Sequence, residues 1–262
     1  MEKTIKVQCP AKINLDLRVF PRDKQTGFHP IKSIMQTISL FDYLTIKVTT
    51  GSEILLSGTS SEIPYNEKNL CYKAAKFFLD KIQKEYKIDI FIEKNIPVEA
   101  GLAGGSTDAA GVLFGLNKIF DNILNEDEIF NIAAALGSDV NFCLKGGTKL
   151  CQGKGDNMVD MPFYDFKLSL VKPKNLKIST KDAYLAFDNL EKESNMRNDL
   201  EFALIDKYEE LQFLNSMGMQ MSGSGPTSFL RDKNVEFEID LDKYLVFNDL
   251  ASTPKGVIEV HQ

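Results

Sequence analysis

The sequence of 262 residues contains no tryptophan, two histidines and four cysteines. The cysteines are widely spaced and form no CxxC pair, so the residues that usually build a structural zinc site or a disulfide framework are missing. We therefore expect reduced thiols at all four positions, which are Cys9, Cys71, Cys143 and Cys151.

Long apolar runs and a surplus of basic residues are also lacking. No stretch approaches the ~18 apolar residues of a membrane span, and the N-terminal segment has no apolar core of a secretory signal. The net charge of −6 and the pI near 5.2 argue against a general nucleic-acid-binding surface. We expect a cytoplasmic protein with neither a membrane nor a nucleic-acid partner, and the composition carries no information on oligomeric state.

What is present is an ordinary globular composition, 43% hydrophobic and 26% charged, with enough length for two domains. Alternating apolar and polar residues predict strands, whereas apolar residues at helical spacing predict helices. The predicted strands cover 4–8, 11–20, 31–40, 43–50, 53–58, 87–94 and 166–172, with short strand-like segments on both sides of 221–229. The predicted helices cover 68–86, 106–120, 126–137, a segment from about Thr180, and 198–217.

The strand pattern begins again after the glycine-rich turn at 145–156. We therefore place a soft boundary between an N-terminal domain, residues 1–152, and a C-terminal domain, residues 153–262. The expected fold class is α+β with two domains. No internal repeat or low-complexity tract is present.

The segment PVEAGLAGGSTDAAGVLF, residues 97–114, resembles a phosphate cradle. Gly101, Gly104 and Gly105 allow close approach of the backbone to a ligand, and residues 106–108 are expected to cap the following helix. The N–H groups and the dipole of that helix would then face an anion. The pattern is neither that of a P-loop nor the dinucleotide fingerprint. A glycine-rich turn that caps a core helix explains the segment equally well.

Polar residues also occur within otherwise apolar segments. Lys12, Asn14 and Asp16 lie on one side of a predicted strand, and a buried Lys12 would need an anionic partner. A solvated strand face is the alternative. Asp139 stands between a predicted helix end and an apolar strand, where a turn or cap role is the alternative. Lysine, aspartate and phosphate loop together favour phosphoryl transfer to an alcohol.

Two further segments have both a functional and a structural interpretation. In TGFHPIKS, residues 26–33, Phe28 could stack on a base and His29 could hydrogen-bond its edge, although an exposed structural loop is equally consistent. In SGSGP, residues 222–226, a tight turn explains the glycines as well as a ligand contact does.

Three of these segments, in this order, resemble the three motifs of the GHMP kinases: PAKINLDL, PVEAGLAGGSTDAA and MSGSGPTSF. The resemblance implies an N-terminal α/β ATP-binding domain and a ferredoxin-like C-terminal domain, with the reaction in the cleft between them. TGFHPIKSIMQTISLFDYL, LGSDVNFCLKGGT and the NDLE stretch at 198–201 further resemble family members that act on a cytidine diphosphate compound of non-mevalonate isoprenoid biosynthesis.

The resemblance implies an ATP- and Mg²⁺-dependent kinase that phosphorylates the 2-hydroxyl of diphosphocytidyl methylerythritol. Asp139 would be the general base and Lys12 would hold the aspartate or the hydroxyl in position. The implied ATP-binding residues are Asn69, Lys94, Pro97, Gly101, Leu102, Ala103, Gly104, Gly105, Ser106, Thr107 and Asp108, with Ser106 also a metal ligand. The implied substrate-binding residues are Asn14, Phe28, His29, Gly223, Ser224 and Gly225.

The chain departs from the family pattern at a few positions. Phe28 replaces a usual tyrosine, Ala103 replaces a common glycine, and Glu99 with Ala100 occupies positions that are usually small. Two other functions remain open: a GHMP kinase for mevalonate, homoserine or a sugar, and a catalytically silent nucleotide-binding sensor. Phe28, His29 and the NDLE stretch argue against the first, and Lys12 with Asp139 argues against the second. The resemblance covers the chain from about Lys6 to Phe229.

Overall fold

A computed structural model describes residues 2–191, 193–232 and 239–260. Its strands are β1 (Lys3–Val19), β2 (Ile31–Thr49), β3 (Ile54–Gly58), β4 (Lys87–Glu93), β5 (Thr148–Gly153), β6 (Asn157–Asp160), β7 (Lys167–Pro173), β8 (Gln220–Met221), β9 (Ser228–Arg231), β10 (Tyr244–Ala251) and β11 (Ile258–Glu259). Its helices are α1 (Leu70–Ile82), α2 (Gly104–Ile119), α3 (Glu126–Leu136), α4 (Val140–Lys145), α5 (Thr180–Asp188), α6 (Asp199–Leu204) and α7 (Glu209–Ser216), with a 3₁₀ turn at Ile205–Lys207.

The first two strands are longer than the sequence predicts. The segments expected as separate strands at 4–8 and 11–20 form the single strand β1, and those expected at 31–40 and 43–50 form β2. The β1–β2 register shifts between Pro10 and Ala11 and again between Asn14 and Asp16. Proline lacks an N–H group, so an irregularity in the ladder accommodates it without ending the strand.

Seven strands of the described chain form the first sheet, in the order β11-β1-β2-β4-β3, with β5 on β2 and β6 on β5. Helices α1, α2 and α4 pack against this sheet, and α3 packs on these three helices, around one apolar core. Helix α2 lies very close to the strands. A Cβ on Gly115 would lie only 2.6 Å from Ile46 Cδ1, so the absence of a side chain at Gly115 permits this close packing. All four cysteines are buried free thiols. Within the described part of the chain, no helix is both long and apolar enough to span a membrane.

The second sheet has the order β10-β7-β9-β8 in the described ranges. Its first strand in the chain, β7, lies between its last, β10, and its third, β9, and these pairs are antiparallel. This is the split strand arrangement of a ferredoxin-like sheet, in which helices α5 to α7 connect β7 to β8. The expected α+β class is therefore confirmed.

The two sheets exchange chain segments beyond the expected boundary at 152/153. Strand β6 still pairs with β5, and the late strand β11 returns to pair with β1. The chain therefore passes between the sheets twice, once in each direction. At the crossing, Ser252 N donates to Phe166 O (2.9 Å) and Phe166 N donates to Ser252 Oγ (3.0 Å), so the two passing segments are bonded to each other.

Candidate active site

A cleft of about 990 Å³ collects most of the residues singled out in the sequence. Those in its wall are Lys12, Asn14, Phe28, His29, Asn69, Lys94, Pro97, Gly101, Ala103, Gly104, Gly105, Ser106, Asp108, Asp139, Gly223, Ser224 and Gly225. Leu102 and Thr107 are both buried, and neither lies in the wall. Leu102 packs in an apolar cluster and its carbonyl oxygen accepts a hydrogen bond from Lys12 N (3.1 Å).

Helix α2 points its N-terminus into this cleft. It begins at Gly104, so the cap expected at residues 106–108 is wrong. The capping residue is Ala103, held at φ 59° with no side-chain cap hydrogen bond. Because the first amides of a helix have no intrahelical partner, the N–H groups at 104–106 are available to an anion. The left-handed backbone at Ala103 explains why glycine is common there in the family.

Asp108 and Lys94 are held behind the helix N-terminus. The Lys94 ammonium bonds to Asp42 and to Asp108 Oδ2, the latter at 2.9 Å. All three side chains are at most 4% exposed. Burial raises the pKa of Asp108, against the opposing charge of Lys94. Burial alone would lower the pKa of Lys94, but Asp108 and Asp42 together raise it above its ordinary value.

Lys12 and Asp139 face each other across the cleft floor. Lys12 Nζ lies 3.7 Å from Asp139 Oδ2 and donates to Asn14 Oδ1 at 2.6 Å. Asn14 is fixed in turn by its bond to Ser33 Oγ (2.7 Å). Asp139 precedes the short helix α4, not the strand that its apolar neighbours predicted. Burial of Lys12 on an apolar strand therefore comes with the anionic partner that it requires.

Asp16 does not join this group. The register shift after Asn14 turns its side chain away, and it forms an ion pair with Arg18 (3.8 Å) outside the cleft wall. The expectation that Lys12, Asn14 and Asp16 share one side was therefore wrong for the third residue. A strict period of two cannot anticipate a bulge.

The turn at 222–226 is hydrogen-bonded to the segments of the other two motifs, which contain Asn14 and Gly101. Ser222 Oγ donates to Gly101 O (3.1 Å) and accepts from Asn14 N (3.3 Å). Gly223 has φ 55°, and a Cβ there would lie 3.1 Å from Gly101 O and 3.2 Å from Lys12 Nζ. Glycine is therefore favoured here both by conformation and by close approach.

The NDLE stretch positions that turn. Asn198 Nδ2 donates to the carbonyl oxygens of Met221 (2.9 Å) and Gly223 (2.8 Å), and Glu201 Oε2 accepts from Met221 N (3.0 Å). Burial raises the pKa of Glu201 to about 7, although bonds from Met221 and Asn215 act in the opposite direction. The sequence marked this stretch by resemblance but did not reveal its contacts with the turn.

Phe28 and His29 form another part of the wall. The Phe28 ring is 58% exposed, and Lys154 Nζ lies 4.5 Å from its centroid. His29 is buried, with Nδ1 2.8 Å from Phe20 O and Nε2 3.1 Å from Asp188 Oδ1. Both ring nitrogens of His29 are thus engaged by the protein in this structure.

Asn69 and Glu99 have defined partners at the other end of the cleft. Asn69 caps α1 by accepting from Cys71 N (2.9 Å) and donates to Pro64 O (2.7 Å). The Glu99 carboxylate pairs with Lys177 at 3.8 Å, so its charge is directed toward the second half of the chain.

The cleft wall is basic although the chain is acidic. Besides Lys12 and Lys94, it contains Arg22, Lys68, Lys154 and Lys181. These basic residues come from distant segments of the chain, so the overall net charge does not predict a positive potential in the cleft. The cleft is suited to an anionic small molecule.

Comparisons with known proteins agree with this geometry. Residues 69–147 match the family described as GHMP kinases N terminal domain. The chain is 40% identical to 4-diphosphocytidyl-2-C-methyl-D-erythritol kinase of Clostridium beijerinckii, over 86% of this chain and 90% of that protein. It is 38% identical to the enzyme of that name from Clostridioides difficile, over 97% of both chains.

Solved structures show the same relationship. A crystal structure of 4-(cytidine 5'-diphospho)-2C-methyl-D-erythritol kinase has a TM-score of 0.70 and 28% identity, over 87% of this chain and 89% of that one. Homoserine kinase from Cytophaga hutchinsonii has a TM-score of 0.73 at 17% identity, over 98% and 97% of the two chains, which shows the shared fold. Fold and cleft are those of a GHMP kinase, an ATP-dependent enzyme. The chain belongs to the family of the 4-diphosphocytidyl-2-C-methyl-D-erythritol kinases.

Proposed function

We propose that this protein transfers the γ-phosphoryl group of ATP to the 2-hydroxyl of 4-diphosphocytidyl-2-C-methyl-D-erythritol. The observation that carries the proposal is the Lys12–Asp139 pair, which lies in the same cleft as the α2 N-terminus and the exposed Phe28 ring. The names of the curated relatives supply the substrate. The partners are then two small molecules, and the acidic chain acts in the cytoplasm without nucleic acid.

Asp139 accepts the proton of the substrate hydroxyl as the hydroxyl oxygen bonds to the γ-phosphorus and the bond to the ADP oxygen breaks. Its side chain is 29% exposed, whereas that of Lys12 is 5% exposed, so the carboxylate is the member of the pair that substrate can reach. Lys12, held by Asn14, fixes the carboxylate and balances the charge that develops during transfer. Most of the rate is expected from positioning and electrostatics.

The triphosphate is placed at the N-terminus of α2. The amides of residues 104–106 would bind phosphate oxygens, and the missing side chains of Gly104 and Gly105 permit close approach. Gly101 and Gly223 meet beside Lys12, so the turn at 222–226 closes the wall next to the reacting groups.

The donors in the cleft fit magnesium held mainly by nucleotide phosphates. Among the described residues, no group of three carboxylate, histidine or cysteine side chains could hold a metal. The Ser106 hydroxyl in the cleft wall is a hard oxygen donor of the kind Mg²⁺ uses alongside phosphates and water. When bound, Mg²⁺ would neutralise part of the charge on the β- and γ-phosphates.

The Phe28 wall is assigned to the cytidine diphosphate end of the substrate. An exposed ring offers a face on which a base can stack, and Lys154 above that ring brings a cation to the same place. Arg22 and Lys181 add positive charge for a diphosphate. Stacking is retained by phenylalanine, although the hydroxyl of the usual tyrosine is lost.

Release of ADP with Mg-ATP and the cytidyl substrate, run beside mevalonate, homoserine and galactose, tests the proposal. Turnover of the cytidyl substrate alone is the expected result. Turnover of another alcohol alone would keep the kinase and discard the substrate, and ATP binding with no turnover of any alcohol would indicate a sensor.

A further inference from the structure

Asp42 accepts several hydrogen bonds and has no role in the proposed reaction. It is 0% exposed, and its Oδ1 accepts from Asn95 N (2.6 Å) and Ile96 N (2.8 Å) while Oδ2 accepts the Lys94 ammonium. Three consecutive residues, 94 to 96, are therefore bound to a single carboxylate. They form the start of the segment that connects β4 to α2.

The other end of this segment is fixed by the same ammonium. Lys94 Nζ also donates to Asp108 Oδ2 in the second turn of α2 (2.9 Å). The ammonium lies directly against the helix start, because a Cβ on Gly104 would be 2.8 Å from it. Asp42 and Asp108 thus clamp both ends of residues 94–104 around one buried lysine.

The clamped segment needs such support because it has no regular structure and contains unfavourable backbone angles. Residues 97–103 lie between β4 and α2, and Glu99 and Ala103 have φ values of 51° and 59°. Non-glycine residues in this conformation persist only where the surroundings hold them. These residues determine where the amides at 104–106 point.

We propose that Asp42 is a positioning residue for ATP: acting through Lys94 and with Asp108, it fixes the phosphate loop and the start of α2 in the geometry that binds the triphosphate. The inference rests on the proposed ATP site. In this proposal, the ion pair between Lys94 and Asp108 holds the phosphate loop in place.

The test is the Kd for ATP, measured by calorimetry without the second substrate, together with KM and kcat for both substrates. Asp42→Asn keeps an oxygen for the two amides but replaces the charged partner of Lys94. We expect the Kd for ATP to rise about 10-fold or more, the loss expected for one charge-assisted bond, while KM for the cytidyl substrate stays within about twofold.

Asn117→Ala is the matched control. Asn117 binds the backbone N–H and C=O of Leu124, both at 3.0 Å, so it anchors a loop at the opposite end of the same helix. We expect this variant to lower the melting temperature with an unchanged Kd for ATP. If Asp42→Asn likewise lowers only the melting temperature, the positioning role is overturned.

The double variant Asp42→Asn/Asp108→Asn tests whether the two carboxylates act together. Because both bind Lys94, their effects on the Kd for ATP should depart from additivity by at least about threefold. Additive effects would contradict a single clamp.

Two further outcomes are distinguishable. If Asp42→Asn does not fold, Asp108→Asn removes the charge of the other carboxylate bonded to Lys94, and the Kd for ATP should rise in the same direction; an unchanged Kd would then overturn the clamp. If the wild-type protein binds ATP but does not phosphorylate the cytidyl substrate, the proposed function fails, whereas the Kd comparison still decides the role of Asp42.

Discussion

Lys12 Nζ lies 3.7 Å from Asp139 Oδ2, and the lysine is the more deeply buried partner of the pair. The ammonium is fixed by Asn14 and by its own strand, while the carboxylate sits at the start of a short helix with no side-chain cap hydrogen bond. The carboxylate therefore faces the cleft, where the proposed mechanism needs a proton acceptor.

Replacing Asp139 by asparagine should therefore reduce kcat about 10²- to 10⁴-fold, the usual range for loss of a general base. The Kd for ATP should stay within about twofold, because the aspartate lies outside the α2 N-terminus. Steady-state kinetics and ATP calorimetry measure the two effects. The control is Asp16→Asn, an aspartate paired with Arg18 outside the cleft wall. Equal turnover of Asp139→Asn and the wild type would remove this residue from the mechanism.

Substitution of Phe28 by leucine should raise KM for the cytidyl substrate about 10-fold, because stacking on a base contributes roughly 1–3 kcal/mol. KM for ATP should not change, and Phe28→Tyr should retain affinity. Phe91→Leu replaces a comparably exposed ring on β4, outside the cleft wall, and serves as the control. An unchanged KM for the cytidyl substrate in Phe28→Leu would place the base elsewhere.

Adding one methyl group at Gly223 should lower kcat about 10-fold or more. A Cβ there would lie 3.2 Å from Lys12 Nζ and 3.1 Å from Gly101 O, so these atoms would have to move by a few tenths of an ångström. A misplacement of about 1 Å near reacting groups costs about 10²-fold in rate, so a smaller shift is expected to cost less. Gly218→Ala is a close control, since Gly218 has φ 79° with nothing within 4 Å of a Cβ. Both variants should lose roughly 1 kcal/mol of stability. A parallel loss of activity in both would show that backbone strain, and not the contact with Lys12, is responsible.

Glu201 should make stability fall as pH rises. Its pKa is raised to about 7 in the folded protein from an ordinary 4.5, so the folded state holds more protons between these values. The contribution of Glu201 to the free energy of unfolding therefore decreases from about pH 4.5 to about pH 7 and is constant above that range. Urea unfolding at pH 5, 6, 7 and 8 should show a weaker pH dependence for Glu201→Gln than for the wild type. Glu85→Gln, at an exposed position, should follow the wild type, and identical slopes in all three proteins would contradict the assignment.

Local patterns predicted most helices and strands but not the features that depend on distant contacts. Period-two alternation found the strand segments of β1 and β2, yet it predicts 4–8 and 11–20 as separate strands, because the ladder irregularity that accommodates Pro10 within one strand is not visible in the sequence. Asp139 was placed before a strand because the short apolar run 140–144 does not distinguish strand from helix.

The candidate site shows the same division. Lys12, Asp139 and the glycine loop were found because charged residues and glycines stand out in apolar surroundings. Asp42 was missed, since a single aspartate between aromatic residues resembles an exposed strand position until Lys94 and the amides of 95 and 96 are brought to it. The basic cleft wall was missed because its residues come from separate segments.

The bonded crossing at Phe166 and Ser252 has a mechanical consequence. Two chain segments join the sheets, and each donates a backbone N–H to the other residue. Beside this crossing, one buried apolar cluster contains Ile13 and Ile38 of the first sheet and Leu170 of the second. The two sheets should therefore move as one body, which would keep the glycine turn at 222–226 aligned with Lys12 as substrates enter and products leave.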